Sequence, residues 1–464
     1  MTPKDNSRRK FIRQNSIAGI GILTTKGNEY NIINSDKTTH DSETLLINTI
    51  GQFSLENLRN DYNKYLFDRF IPNMDKLVID HEFGGFMCNV DIAGWKVLST
   101  DKKAWFEGRG IWIYSFLYNK FKKDPRFLEI ARKSIDLVMT LRPDDDSFWI
   151  SSFDQQGKPA DSVGARYGNQ FGLPTSAKGD LYGNMFIAEG LAEYALASGE
   201  EQYHDIAKKI ILGCMAKYDE ADYAYHVNYL DPEISNVPGS RVLGHWMIFL
   251  RSVSQMLEVK PDAELESIAQ RCVNAIINHH LNPHYGLLNE VLNHDFSRPV
   301  NEFENFAYLG HGIETLWMVM AEAIRKNDAA LFHKTIEIFK RHVTVATDDV
   351  YGGYFRSLDH VDNNTWKVDK VLWLHEEIMI GCMMLIEHTG DIWAQQCFEK
   401  TFNYIQQKFI RPGYAFWIPG GDRQLAEHQT GRAEHYHHPR HLMLNLLSIN
   451  RILERKGKTS GIFD

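Results

Sequence analysis

A chain of 464 residues with 43% hydrophobic and 12% aromatic content can bury a large core, and none of its apolar runs approaches the roughly 20 residues a bilayer span needs. The formal net charge of -9 and the lack of an extended Lys/Arg block exclude nucleic acid and anionic membrane surfaces as expected partners, leaving a neutral or weakly charged small molecule. The five cysteines (Cys88, Cys214, Cys272, Cys382, Cys397) are scattered without a C-x-x-C pair, so free thiols are expected, with neither a zinc cage nor a disulfide framework.

The chain opens on Arg8-Arg9-Lys10-Phe11-Ile12 followed by the weakly apolar Ile17–Leu23, a pattern that resembles a twin-arginine export signal over residues 1–25. Such a signal would send the protein to the periplasm or outside; without it the chain would be cytoplasmic. Residues 26–50, rich in Asn, Thr, Ser and Asp, read as a linker, and 51–458 as a single domain.

From about Ser54 an architecture repeats. Aromatic segments recur around Gly85, Phe148, Tyr223, Gly286, Gly353 and Ala415, in steps of 63, 75, 63, 67 and 62 residues, each followed by turn residues. Between them lies room for two helices. Apolar-all-round periodicity predicts helices near Trp105–Phe121, Leu181–Leu196, Leu243–Leu257, Ala307–Ile324, Leu372–Ile386 and His441–Leu453. A more amphipathic set is predicted near Leu58–Phe70, Phe127–Leu141, Tyr203–Tyr218, Leu265–Ile277, Leu331–Val343 and Trp393–Phe409. An inner and an outer ring of six helices each, an all-α (α/α)6 barrel with short hairpin-like loops, accommodates both sets; an open helical solenoid would share the periodicity.

In such a barrel the inner helices start at one end, where unusual chemistry is concentrated: Glu107-Gly108-Arg109, Gly244-His245, Gly310-His311, Leu374-His375-Glu376-Glu377, and His435 to Arg440 before the last helix. Histidines across a cleft suit proton transfer, and arginines beside them suit an oxygen that gains negative charge. Tryptophans such as Trp105, Trp317 and Trp373 offer flat faces to sugar rings, although most tryptophans serve a core. A lone histidine in an apolar helix is more often a packed core residue than a ligand, but His245, at one of these converging helix starts, is also a candidate substrate-binding residue. His435, His437 and His438 with Glu434 could in principle ligate a metal, but three ligands crowded before a proline are a poor set for one ion, and none is expected.

These residues resemble the N-acylglucosamine 2-epimerase family, which includes cellobiose 2-epimerases and aldose–ketose isomerases. Trp105 to Trp112 is similar to its W-x-x-G-R-x-x-W, Gly310 to Glu314 to G-H-x-x-E, Trp373 to Glu377 to W-x-H-x-E, and Tyr436 to Arg440 to aromatic-H-x-P-R. The resemblance implies an (α/α)6 barrel and metal-free proton transfer at C2 of a reducing sugar, with His311 and His375 as the acid/base pair. It further implies Arg109 as a ligand of substrate oxygen, Glu314 and Glu377 orienting the histidines, and His437, Arg440 and Trp373 lining the site. Phe186 stands where cellobiose 2-epimerases usually carry a histidine, which favours the N-acylglucosamine branch; Gly310 to Glu314 reads closer to the cellobiose type. No cofactor is implied, a nucleotide effector is left open, and a homodimer would be ordinary. The competing classes are a glycoside hydrolase on the same barrel, drawing carboxyls from Glu107, Glu314 and Glu377, and a non-catalytic sugar-binding protein. Changing Arg8 and Arg9 together to Lys is expected to retain the protein inside the cell, as read by fractionation; an unchanged distribution would show that the pair is no export signal.

Overall fold

The computed structural model describes residues 46–145, 147–160, 179–223 and 239–463. The signal stretch 1–25, residues 26–45 of the linker, Asp146 and residues 224–227 of the third aromatic segment lie outside the described residues. Among the described residues, twelve helices alternate between two rings. They are α1 (Leu55–Asn63, running on through Lys64–Phe70 and Ile71–Leu77), α2 (Ala104–Lys120), α3 (Pro125–Met139), α4 (Leu181–Ser198), α5 (Glu201–Asp219) and α6 (Leu243–Val259). The second half comprises α7 (Ala263–Asn274, extended by Ala275–His280), α8 (Leu309–Lys326), α9 (Ala329–Ala346), α10 (Leu372–Thr389), α11 (Ile392–Lys408) and α12 (His437–Glu454).

Even-numbered helices form the inner ring: each touches the next, and α12 returns to both α1 and α2, closing the (α/α)6 barrel expected from the repeat. Their burial follows. On α4, every residue from Gly183 to Ala195 is buried, whereas outer α3 buries only a stripe that includes Phe127, Ala131, Ile135 and Val138. Where α2 crosses α4, backbones meet at glycines: a Cβ on Gly108 would overlap the Phe186 carbonyl, and one on Gly190 would lie 2.5 Å from the Gly108 oxygen.

Most helices of the two rings begin differently, inner α4, capped by Asp180, and outer α5, without a side-chain cap, being the exceptions. Outer helices α1, α3, α7, α9 and α11 carry their own caps, Ser54, Asp124, Asp262, Asp328 and Asp391, whose side chains accept first-turn N–H groups. The residues capping α2, α6, α8, α10 and α12 make no such side-chain bond. Instead the loops of following repeats dock on the inner starts: Ala104 donates to the Ser151 carbonyl, Leu243 to Glu290, Gly310 to Arg356 and Leu372 to Pro419. Two-residue antiparallel pairs reinforce this at Lys102–Lys103 with Ser152–Phe153, Arg241–Val242 with Val291–Leu292, and Lys370–Val371 with Gly420–Gly421. One end of the barrel is therefore built from short loops fastened to inner-helix N-termini.

A hydrogen-bonded module recurs at fixed spacing. Asp80 receives Lys102 Nζ at 2.8 Å, and Phe86 N donates to Glu107 Oε1 at 2.9 Å. Four repeats' length later Asp348 receives Lys370 Nζ at 3.0 Å, and Tyr354 N donates to His375 Nε2 at 3.2 Å. In both, a Gly-Gly pair with positive φ (Gly84-Gly85, Gly352-Gly353) turns the chain beneath the lysine, where a side chain would be strained. Glu107 and His375 thus occupy the same register, each capping the N–H that follows the glycines.

Two boundaries differ from expectation. Ile47 donates to the Gly457 carbonyl and Ile50 is fully buried, so the fold starts before residue 51; the Phe463 ring packs tilted against Phe332 at 4.6 Å, so it extends past 458. Helix α12 begins at His437 rather than His441, because Pro439 falls in the first turn, where its missing N–H costs no helical bond. Lys102 and Asp80 are both buried, so Lys102→Met is expected to lower unfolding free energy by about 3 kcal/mol in urea titration by leaving Asp80 without its cation, with Asp80→Leu restoring much of the loss.

Candidate active site

At the loop end, three inner helices meet on one guanidinium. Arg440 Nη2 of α12 lies 2.5 Å from Glu314 Oε1 of α8 and 2.6 Å from Glu377 Oε1 of α10, all three groups being buried. Burial opposes its charge, but Glu377, Tyr436 and Glu314 around it hold Arg440 well above its ordinary range. His437 Nδ1 stands 2.9 Å from the same Glu377 oxygen, and Trp317 Nε1 donates to the other at 2.6 Å. Glu434 accepts the backbone N–H groups of Tyr436 and His437, fixing the start of α12. Burial, seconded by Arg440 and Arg109 and opposed by Glu314 and Glu434, pushes His437 down to about 3, so it rests as neutral imidazole.

An aromatic cage adjoins this cluster. The Arg109 guanidinium lies 4.4 Å from the Trp105 ring, 4.1 Å from Phe186 and 4.6 Å from Tyr436. Burial lowers Arg109 to about 10, which still leaves it charged at neutral pH, and its Nε and Nη1 make no hydrogen bond among the described residues. Tyr436 donates to Glu189 Oε2 at 2.8 Å. On the other flank, Trp373 lies over Gly310, where any Cβ would overlap the ring, which explains the glycine in the G-H motif. The Trp373 indole is 6.0 Å from the His311 ring and 5.4 Å from the His437 ring. His311 Nδ1 faces buried Glu290 Oε1 at 2.9 Å, and Tyr308 packs edge-on against the same imidazole at 4.4 Å.

The structure thus brings Arg109, His311, Glu314, Trp373, Glu377, His437 and Arg440 to one end of the barrel. It does not bring His375 there. That ring is fully buried, stacked on Tyr404 at 5.2 Å, with Nδ1 donating to the Val371 carbonyl at 2.8 Å and Nε2 accepting from Tyr354 N. Burial lowers it to about 3, and both nitrogens are used by backbone. His245 is likewise fully buried, ringed by Tyr182 at 5.0 Å and Tyr218 at 5.2 Å, behind rather than within the cluster. The three histidines weighed as metal ligands point apart: His435 to Cys88 and the Phe106 carbonyl, His437 to Glu377, and His438 to Glu376. Glu314, Glu377 and His437 come close enough together to hold an ion, but the Arg440 guanidinium supplies the positive charge between those carboxylates.

Sequence reasoning missed Glu290, Tyr308 and the Glu434 cap. Glu290 had a signal, being the one charge in Leu287-Leu288-Asn289-Glu290-Val291-Leu292. A hydrolase needs a pair of carboxyls free to flank a scissile bond. Here Glu314 and Glu377 are both bonded to Arg440, and Glu107 is buried against Ser134 Oγ and Phe86 N.

The family model described as N-acylglucosamine 2-epimerase (GlcNAc 2-epimerase) matches residues 84–439. The chain belongs to the N-acylglucosamine 2-epimerase family. It is therefore an isomerase, a sugar 2-epimerase of the N-acylglucosamine and cellobiose type. Among relatives of this family, N-acylglucosamine 2-epimerase from Bos taurus is 24% identical over 421 residues, covering 85% of this chain and 94% of the relative. Cellobiose 2-epimerase from Bacteroides fragilis is 22% identical over 386 residues, 78% and 91% of the two chains. The solved cellobiose 2-epimerase from Bacillus thermoamylovorans superposes with a TM-score of 0.70 at 16% identity, covering 85% of this chain and all of that one (100%).

Because His375 caps a buried N–H, His375→Leu is expected to cost about 1–3 kcal/mol in denaturant unfolding, and His375→Gln, which keeps an acceptor, less. For either folded variant, a C2 exchange rate within a few-fold of the parent is expected; a thousandfold loss in a stable His375→Gln would place that ring in the chemistry.

Proposed function

We propose that this barrel epimerises a 2-acylamino sugar, interconverting N-acylglucosamine and N-acylmannosamine, with His311 and His437 as the proton carriers. The observation that carries the reading is the shared neighbourhood of these two rings: each has a carboxylate 2.9 Å from Nδ1, which directs Nε2 toward substrate, and each lies within 6.0 Å of the Trp373 indole. His375, whose nitrogens are spent on backbone, serves as a brace for the Gly352-Gly353 turn.

The chemistry follows from the open-chain aldehyde. Its carbonyl acidifies the C2 proton; one histidine removes it, the electron pair moves onto the carbonyl oxygen, and the other histidine returns a proton to the opposite face. Arg109 is suited to that oxygen, since it is a caged cation with guanidinium donors not used by the described residues. Supporting an acylamino group, Phe186 stacks parallel to Trp105 at 5.9 Å and makes an apolar wall beside Arg109, where a histidine would have offered a hydrogen bond. The second reading, a cellobiose or mannose epimerase or an aldose–ketose isomerase, rests on the similarity to the Bacteroides fragilis relative.

Incubation in deuterated water with N-acetylglucosamine, N-acetylmannosamine, mannose, glucose and cellobiose, followed by proton NMR, separates these readings. Deuterium is expected at C2 of the N-acetyl sugars, with His311→Asn and His437→Asn each slowing epimerisation by roughly a thousandfold. Turnover confined to cellobiose or mannose would move the specificity to the second reading.

A further inference from the structure

The two histidines differ in how their carboxylates are employed. Glu377, beside His437, is shared with the Arg440 guanidinium and the Trp317 indole N–H. Glu290, beside His311, comes from a different kind of element: the loop preceding Val291–Leu292, outside the helices. Its backbone is held at both ends, the N–H donating to the Phe306 carbonyl at 2.9 Å and the carbonyl accepting from Leu243 N at 2.8 Å. Those two bonds tie Glu290 to the start of α6 and to the segment leading into α8. Its carboxylate is fully buried, which costs free energy unless it is matched.

We infer that Glu290 is the positioning residue of His311, accepting its Nδ1–H across the 2.9 Å contact so that Nε2 is the nitrogen presented to C2. This rests on the proposed acid/base pair. In one direction His437 takes the C2 proton, the electron pair goes to the carbonyl oxygen, and protonated His311 gives its Nε2 proton to the other face of C2; in the reverse direction His311 Nε2 is the base, and solvent exchange resets both rings. Tyr308 packs edge-on against the same imidazole, so the ring is held from its side as well as through Nδ1.

The test is Glu290→Leu in the full chain, which removes the acceptor, with Glu290→Gln, which keeps one, as the conservative partner. NMR of 15N-histidine-labelled protein reports which ring nitrogen of neutral His311 carries the proton, its signals assigned by their loss in His311→Asn. The parent and Glu290→Gln are expected to hold that proton on Nδ1 and Glu290→Leu to show a mixture of tautomers, with kcat about tenfold or more lower in Glu290→Leu, KM within about threefold, and kcat largely restored in Glu290→Gln. An unchanged tautomer in Glu290→Leu, or a rate loss that follows the loss of folded protein, would overturn the inference. If the parent enzyme exchanges no C2 proton with any sugar, the proposed function fails while the His311 tautomer still decides the role of Glu290.

Discussion

Everything at the working end of this barrel depends on one buried guanidinium. Arg440 holds a carboxylate from α8 and another from α10, so three inner helices share a single charge-assisted junction. Without it, Glu314 and Glu377, on neighbouring inner helices, would stand close together as buried like charges, a severe penalty at low dielectric. With it, Glu377 is fixed at the distance that orients His437, and the first turn of α12 is pinned by Glu434 from the loop side. Stability and chemistry are therefore the same arrangement here: the ion pair that joins the helices also sets the direction of the imidazole.

Around this junction the site is mostly aromatic, which gives shape without adding charge. Trp105, Phe186 and Tyr436 enclose Arg109, keeping water from its guanidinium face, while Trp373 lies between the His311 and His437 neighbourhoods. The crossing of α2 and α4 at Gly108 and Gly190 allows Phe186 to reach the cage at all. Inner helices that start without side-chain caps bring their positive ends to this end of the barrel, an additional source of favourable potential for the enolate oxygen of the proposed reaction.

The barrel was legible in the sequence because its two helix classes differ in periodicity and because the aromatic loop segments recur at nearly constant spacing. Of the site residues expected from the sequence, Arg109, His311, Glu314, Trp373, Glu377, His437 and Arg440 stand together, while His375 and His245 do not join them. What motif spacing did not convey was direction. His375 and His437 both lie in the first turn or so of an inner helix flanked by acids, yet one faces outward to a turn and the other faces the junction. The repeat itself held the clue, since His375 follows Gly353 at the interval by which Glu107 follows Gly85, and Glu107 has the geometry of a turn cap. Glu290 was harder to see, because a carboxylate supplied from a loop has no helical period to place it.

In the proposed mechanism His311 and His437 serve opposite faces of C2. The most direct measurement is the exchange of the C2 proton in deuterated water, starting separately from each pure epimer, for His311→Asn and His437→Asn. Each variant is expected to exchange the proton of one epimer without converting it, the two variants acting on opposite epimers. Exchange of the same epimer by both, or continued net epimerisation in either, would contradict it.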